Sequence, residues 1–330
     1  MLIVGDIGGT KTDLAVYASG SSPNSPLVRK QFQSGEYASL QAIVAEFLAD
    51  IKMPVNHATF DVAGPVINRS VVATNLPWAM NEDSLAMDLN LTSVHLMNDL
   101  EAVARAIPVL RESDVVTLNS GEPVPKTAIG VVAPGTGLGE SLLTWDGSHY
   151  VPQSSEGGHA DFAATDEGQI RLLEYMLARF DHVSVERVCS GIGIPNIYGF
   201  FRDIGHVDEP PEIARRIASA KDPTKEIVDA AVDPHNQSEL CRATVDMFVS
   251  ILGGEAGNLA LKVLATGGIY LAGGIAVHTL SLLQGPGFMR AFTNKGRFSD
   301  LMKRIPVRVI TTNAALLGAA AYALQNLTEY

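Results

Sequence analysis

The sequence predicts a two-lobed α/β protein built by duplication of one unit that begins with a β-hairpin. At 330 residues the chain exceeds what one hydrophobic core usually fills, so two lobes with a cleft between them are expected. A succession of strand, glycine turn, strand and helix begins at residue 2, and a similar one starts again beyond residue 110. Thirty glycines, with 46% hydrophobic and 18% charged residues, suit a compact chain rich in tight backbone turns.

In the first half, residues 2–5 (LIVG) and 12–17 (TDLAVY) are short, apolar and β-branched, with DIGGTK between them, which reads as strand, turn and strand. ASGSSPNSP is a loop. Leu40, Ile43, Val44, Phe47, Leu48 and Ile51 recur at helical spacing, with Ser39 or Ser34 as the start signal. HATFDVAGPV and VHLM (94–97) read as strands. Leu100, Val103, Ala104 and Ile107 then mark one face of a helix that Pro108 stops. Asn98, with Glu101 three positions on, has the form of a capping box with Asn as the cap. It would leave Asp99 in the first turn, where the helix amino terminus favours the ionised carboxylate.

The second half repeats the theme: AIGVVAP (128–134), the turn GTGLGE, then SLLTW and the hairpin signal Asp146-Gly147. Helical periodicity follows near 169–180 and 238–264. PVRVI is a final strand, and Asn313 caps an alanine-rich helix that runs to about Leu324. The expected division is a small α/β domain of residues 1–109 plus 313–330 and a large α/β domain of residues 110–312.

A net charge of −12 leaves no general attraction for nucleic acid or anionic lipid. Two cysteines, Cys189 and Cys241, are too few for a disulfide scaffold or a cysteine zinc site and fit a reducing cytoplasm. Cys189 has no His–acid pattern beside it and reads as a packed thiol. MLIVGDIGG resembles neither a signal peptide nor a membrane span, and no apolar run approaches about 18 residues.

DIGGTKT is not a P-loop, because Thr10 stands where that motif needs glycine before Lys11. GTGLGE is not a dinucleotide fingerprint, because its glycines fall at 135, 137 and 139 and a strand follows. Each turn alone is either an ordinary hairpin or a nest of backbone N–H groups for an anion, with Thr10, Thr12 and Thr136 as added donors. Two such turns at equivalent places in two repeats favour the nest, clamping one phosphate chain from both sides of a cleft. A third cluster, ATGGIYLAGGIA (265–276), is an apolar strand ending in Gly273-Gly274, which close strand–helix packing alone would also explain.

In this order, DIGGTKT, APGTGLGE and YLAGGI resemble the phosphate-1, phosphate-2 and adenosine motifs of the actin-like ATPase superfamily, whose core is the ribonuclease H-like fold. SSEGGHADF (154–162), VERVCSGIGI (185–194), MNDLEA and NAALLGAAAY narrow the resemblance, over nearly the whole chain, to the bacterial glucokinase family that lacks a zinc motif. The resemblance implies ATP-dependent phosphorylation of the 6-hydroxyl of glucose, with Asp99 as catalytic base. Sugar hydroxyls would be held by Asn98, Asp99, Glu156, His159 and Glu186. Phosphate contacts would come from Asp6, Gly8, Gly9, Thr10, Gly135, Thr136 and Gly137, with Lys11 and Thr12 in the same first turn. Gly273 and Gly274 would meet the nucleotide, and Asp6 would hold Mg²⁺ directly or through water. A cytoplasmic homodimer is the implied assembly. Lys11 departs from the Asn common in this group, and GGTKT is more typical of zinc-containing sugar kinases and repressors. Their CxCGxxGC segment is missing here, so no zinc is expected.

Each residue also has a plainer reading. Glu156 and His159 suit a surface loop or half a metal site, Glu186 the first turn of a helix capped by Ser184, and Asp6 the end of a buried strand. Trp78 in TNLPW (74–78) reads as a residue bordering the sugar. Two other functions compete: a non-catalytic sugar sensor or repressor, for which the strand starting at Met1 leaves no room for a helix-turn-helix, and a chaperone-like ATPase that needs no sugar. Mannose, fructose and glucosamine are alternative substrates.

Overall fold

A computed structural model describes residues 1–74, 76–205, 207–233 and 238–326. The chain divides into two compact units: Met1–Arg111 with Tyr150–Pro152 and the described part of Thr312–Tyr330, and Glu112–His149 with Gln153–Thr311.

In the first unit the strands are β1 (Leu2–Ile7), β2 (Lys11–Tyr17), β3 (Val28–Gln33), β4 (His57–Val62), β5 (Ser70–Val72), β6 (Ala79–Asn81) and β7 (Ser93–Asn98). Five of them form one sheet in the order β3-β2-β1-β4-β7, antiparallel on the hairpin side and parallel across β1, β4 and β7. Alternation along β1 sends Ile3 and Ile7 into a core with Phe32, Phe47 and Phe60. Leu2 and Val4 go to the opposite face, into a second core with Ala102, Ala319 and Ala320. Two helices cover that second face, Asp99–Ala106 and Ala314–Asn326. They touch so closely at Gly318 that a Cβ there would lie 1.7 Å from the Ala102 carbonyl oxygen, so the alanine-rich composition serves close approach. The helix Leu40–Ile51 starts as expected, with the Ser39 side chain accepting from Ala42 N–H, whereas Ser34 opens a separate short 3₁₀ turn.

The strands of the second large sheet are β8 (Val115–Asn119), β9 (Ile129–Pro134), β10 (Leu138–Trp145), β11 (Tyr150–Ser155), β12 (Gly268–Leu271) and β13 (Val307–Ile310). Their order is β11-β10-β9-β12-β13-β8. The antiparallel β9–β10 hairpin followed by the parallel β12 and β13 corresponds to β1–β2 followed by β4 and β7, so the α/β unit is duplicated in topology. The 25-residue helix Glu239–Val263 runs through the larger core, where its Phe248 shares a cluster with Phe288 and Phe292. Gly253 of that helix would carry a Cβ 2.3 Å from the Phe288 carbonyl oxygen, which explains a glycine in mid-helix.

Candidate active site

The register of the first sheet sets Asp13, Asp6 and Asp61 directly across from one another on β2, β1 and β4. Asp13 is neutralised by Arg29, whose Nε donates at 2.9 Å. Asp6 accepts from Asn313 Nδ2 at 2.9 Å, while Asn313 Oδ1 caps its helix by accepting from Leu316 N–H at 3.2 Å. Sequence placed Asn313 as a cap; its second bond, to Asp6, arises because the two meet only in the folded unit. Asp61 is fully buried, and neither carboxyl oxygen has a hydrogen-bond partner. Burial first, then the Asp6 and Asp99 charges, hold its carboxyl well above the usual range.

Asn98 ends β7 and caps the next helix: Oδ1 accepts from Leu100 and Glu101 N–H at 3.0 and 3.3 Å, and Nδ2 donates to the Gly64 carbonyl. The capping box is not completed, since Glu101 turns along the helix to Arg105 at 2.7 Å, where an i,i+4 ion pair is available. Asp99 Oδ1 accepts from Leu100 N–H at 2.9 Å. The helix amino terminus favours the ionised carboxylate as expected, through the Leu100 N–H, but burial outweighs it. Burial raises the Asp99 carboxyl above its ordinary value, the Leu100 N–H only partly opposes this, and the Asp6 charge adds to the rise. Asp99 is thus a desolvated carboxylate held by a rigid junction, which makes it a stronger proton acceptor than an exposed one.

In the first glycine turn Gly8 N–H donates to the Lys11 carbonyl, closing the hairpin, and Gly9 and Thr10 stand at its tip. Lys11 is exposed, whereas Thr12 is buried, its Oγ1 3.0 Å from Ser34 Oγ, which in turn donates to the Gly8 carbonyl. Ser34 therefore braces the turn, a role its sequence setting did not signal.

In the second unit Gly135 N–H closes its turn on the Gly137 carbonyl, and Gly191 and Ile192 N–H groups donate to the Gly135 and Thr136 carbonyls. CSGIGI is thereby bound to the back of GTGLGE. Gly273, at φ 89°, would carry a Cβ 2.7 Å from the Pro134 carbonyl oxygen, so only glycine suits the place where this turn meets the start of GTGLGE. A cavity of about 640 Å³ joins Gly135, Thr136, Gly274 and His278 with Lys221 and Lys225. Sequence reasoning missed the two lysines; the cap-and-proline run KDPTK, with Asp222 accepting from Lys225 N–H, was the available signal.

Glu186 Oε2 accepts from Leu138 N–H at 2.9 Å, fastening the carboxylate to the strand after the glycine turn. Ser184 makes no side-chain cap to this short turn; instead Ser190 Oγ donates to the Glu186 carbonyl at 2.6 Å. Glu156 precedes the Gly157–His159 turn and His159 ends it, their side chains 91% and 60% exposed and 3.9 Å apart. Trp78 is buried in the first core, which corrects its reading as a residue bordering the sugar; Asn75 of the same segment lies outside the described residues.

Among the described residues no three His, Cys, Asp or Glu side chains are arranged to hold a metal by themselves. Asp6, Asp61 and Asp99 nonetheless form a patch of wholly or half-buried carboxyls, each with its proton affinity raised first by burial. Such a patch fits Mg²⁺, which takes one or two carboxylates and fills its shell with water and phosphate oxygens.

The Glucokinase family profile matches residues 3–326. Glucokinase from Nostoc punctiforme is 39% identical over 97% of this chain and 98% of its own length. That from Yersinia enterocolitica is 36% identical over 98% and 97%. The crystal structure of a glucokinase from an Antarctic psychrotroph superposes with a TM-score of 0.82 at 30% identity, covering 98% of both chains. A ROK family glucokinase from Streptomyces griseus, solved with glucose and AMPPNP, shares the fold at a TM-score of 0.63 and 18% identity, covering 98% of this chain and 99% of its own.

Proposed function

The chain belongs to the glucokinase family, and from that premise we propose that it transfers the γ-phosphoryl group of ATP to the 6-hydroxyl of glucose, with Asp99 as general base. The observation that carries the assignment of the base is the setting of Asp99: a half-buried carboxyl of raised proton affinity, fixed where β7 passes into its helix. Asp99 accepts the proton of the 6-hydroxyl as that oxygen attacks phosphorus, the bond to the ADP oxygen breaks, and ADP leaves. Asn98, Glu156, His159 and Glu186 hold the remaining hydroxyls; carboxylates suit this because each accepts from more than one O–H. Backbone N–H groups of Gly9, Thr10, Thr136 and Gly137 meet phosphate oxygens, and Gly273 and Gly274 border the nucleotide. Mg²⁺, when bound near Asp6, neutralises charge that develops on the phosphates.

In this reading the small domain of residues 1–109 and 313–330 supplies the base and the large domain of residues 110–312 most of the sugar contacts. A homodimer in the cytoplasm is the assembly we favour. Among the described residues no helix is long and apolar enough to cross a membrane. The test is a coupled assay for sugar 6-phosphate with ATP and a panel of glucose, mannose, fructose and glucosamine. Glucose is expected to have the highest kcat/KM. Absence of product with every hexose, or phosphate release independent of sugar, would overturn the proposal.

A further inference from the structure

Glu140 and Glu255 form a buried carboxyl pair that the reaction above does not use. Glu140 lies on β10, 2% exposed, and Glu255 on the helix Glu239–Val263, 5% exposed. Their side chains meet within hydrogen-bonding range, and Oε1 of each has no hydrogen-bond partner. Two carboxylates are both acceptors, so such a pair is bonded only if one of them carries a proton. The charges around it decide which. Glu255 faces Lys262 Nζ at 3.6 Å and accepts from Asn258 Nδ2 at 3.0 Å, so a cation and an amide donor lie on its side of the pair. Lys295 stands one group further off, donating to Asn258 Oδ1 and the Gly254 carbonyl. Cys189, buried beside the pair, has its thiol pushed well up and stays neutral. Glu140 is left as the acid.

Glu140 also supports the EGGH turn directly. A Cβ on Gly157 would fall 2.0 Å from Glu140 Oε2, and one on Gly158 would fall 2.1 Å from the Leu138 carbonyl oxygen of the same strand. The turn between Glu156 and His159 therefore rests on the Glu140 carboxyl without a side chain between them, and both glycines are needed for that contact. The Glu156 and His159 side chains are themselves exposed.

We propose that Glu140 is a positioning residue for hexose binding, which, through a proton shared with Glu255, holds the Glu156–His159 turn in place. The proposal rests on the reading of Glu156 and His159 as sugar contacts. Burial, then the Glu255 charge, lift the Glu140 carboxyl to about 7, with Lys262 opposing. As pH rises past that value the shared proton is lost, two buried charges repel each other, and the support beneath Gly157 is displaced. Hexose affinity then falls on the alkaline side while the base Asp99 stays ionised.

The test compares the parent with Glu140→Gln and Glu255→Gln, each of which supplies a permanent donor to the other carboxylate. In the parent, glucose KM rises about tenfold between about pH 6 and about pH 8.5, with kcat at saturating glucose and KM for ATP nearly level. Both variants should hold glucose KM within about twofold of the parent's low-pH value across the range. Infrared difference spectra between the parent and Glu140→Gln, taken below the Glu140 value of about 7, should show a protonated carboxyl band that the variant lacks. Glucose KM that rises with pH equally in the variants, or a parent with no such band, overturns the proposal. If no hexose is phosphorylated at any pH, the functional reading has failed, and the infrared band still decides whether the pair holds its proton.

Discussion

A methyl group at Gly137 would test how the second glycine turn places a sugar-binding carboxylate. The Cβ of Gly137→Ala would sit 2.3 Å from Glu186 Oε2 and 3.2 Å from its carboxyl carbon, whereas ordinary contact begins at 3.4 Å. The carboxylate must withdraw by about 1 Å, and its 2.9 Å bond from Leu138 N–H cannot survive that shift. A hydrogen bond to a charged group contributes about 1.5–3 kcal/mol, so misplacing Glu186 should weaken glucose binding about 10- to 100-fold. The fold should tolerate the change, because the displaced atoms are the far end of a flexible side chain rather than backbone. Initial rates with glucose varied at saturating ATP, then the reverse, separate the two substrates, and thermal denaturation monitors folding. Glucose KM is expected to rise by that factor, KM for ATP by less, and Tm to move by only a few degrees. Glucose KM unchanged within about twofold in a folded variant would refute the link between this turn and the carboxylate.

Asp99→Asn should lower kcat about 10²- to 10⁴-fold with little change in glucose affinity by calorimetry, and near-normal turnover would remove Asp99 as the base. Because burial raises its proton affinity, the parent's acid limb should lie above the ordinary carboxylate range: as pH falls the base is protonated and rate is lost. Asn313→Ala removes a helix cap, worth about 1 kcal/mol, and the donor to half-buried Asp6, worth about 1.5–3 kcal/mol. Chemical denaturation at neutral pH should show a loss of about 2–4 kcal/mol. Asp6 already has its carboxyl raised in the folded state, so its ionisation costs stability as pH rises through and above the ordinary range. Losing Asn313 enlarges that cost, and the deficit should shrink in acid, where Asp6 is protonated. An equal loss at acid and neutral pH would show that the cap alone matters.

The elements most legible in the sequence are those with strong local signals. The hairpin β1–β2, the helix Leu40–Ile51 with its Ser39 cap, and the long helix Glu239–Val263 fall close to their expected bounds, because periodicity and capping act over a few residues. The edge strand β3, sequence VRKQFQ, was missed: a polar run with one buried aromatic, Phe32, gives a weak strand signal, and pairing with β2 determines it. The short helices Pro211–Ser219, Pro223–Val232 and Pro286–Thr293 were also unread, though each begins with proline in its first turn, a recognised start signal.

The sequence by itself determined the family, the order of the glycine turns and the identity of the candidate base, because motif chemistry is carried by residues adjacent along the chain. Only the tertiary structure decided how those groups are tuned. Asp6, Asp61 and Asp99 come from three separate strands or their ends, and their burial together, not their local sequence, raises their proton affinity. Likewise Glu140 and Glu255 are 115 positions apart and become one acid–base unit only when β10 meets a helix. Desolvation and through-space charge depend on what surrounds a group in three dimensions, and neither is written in the residues next to it.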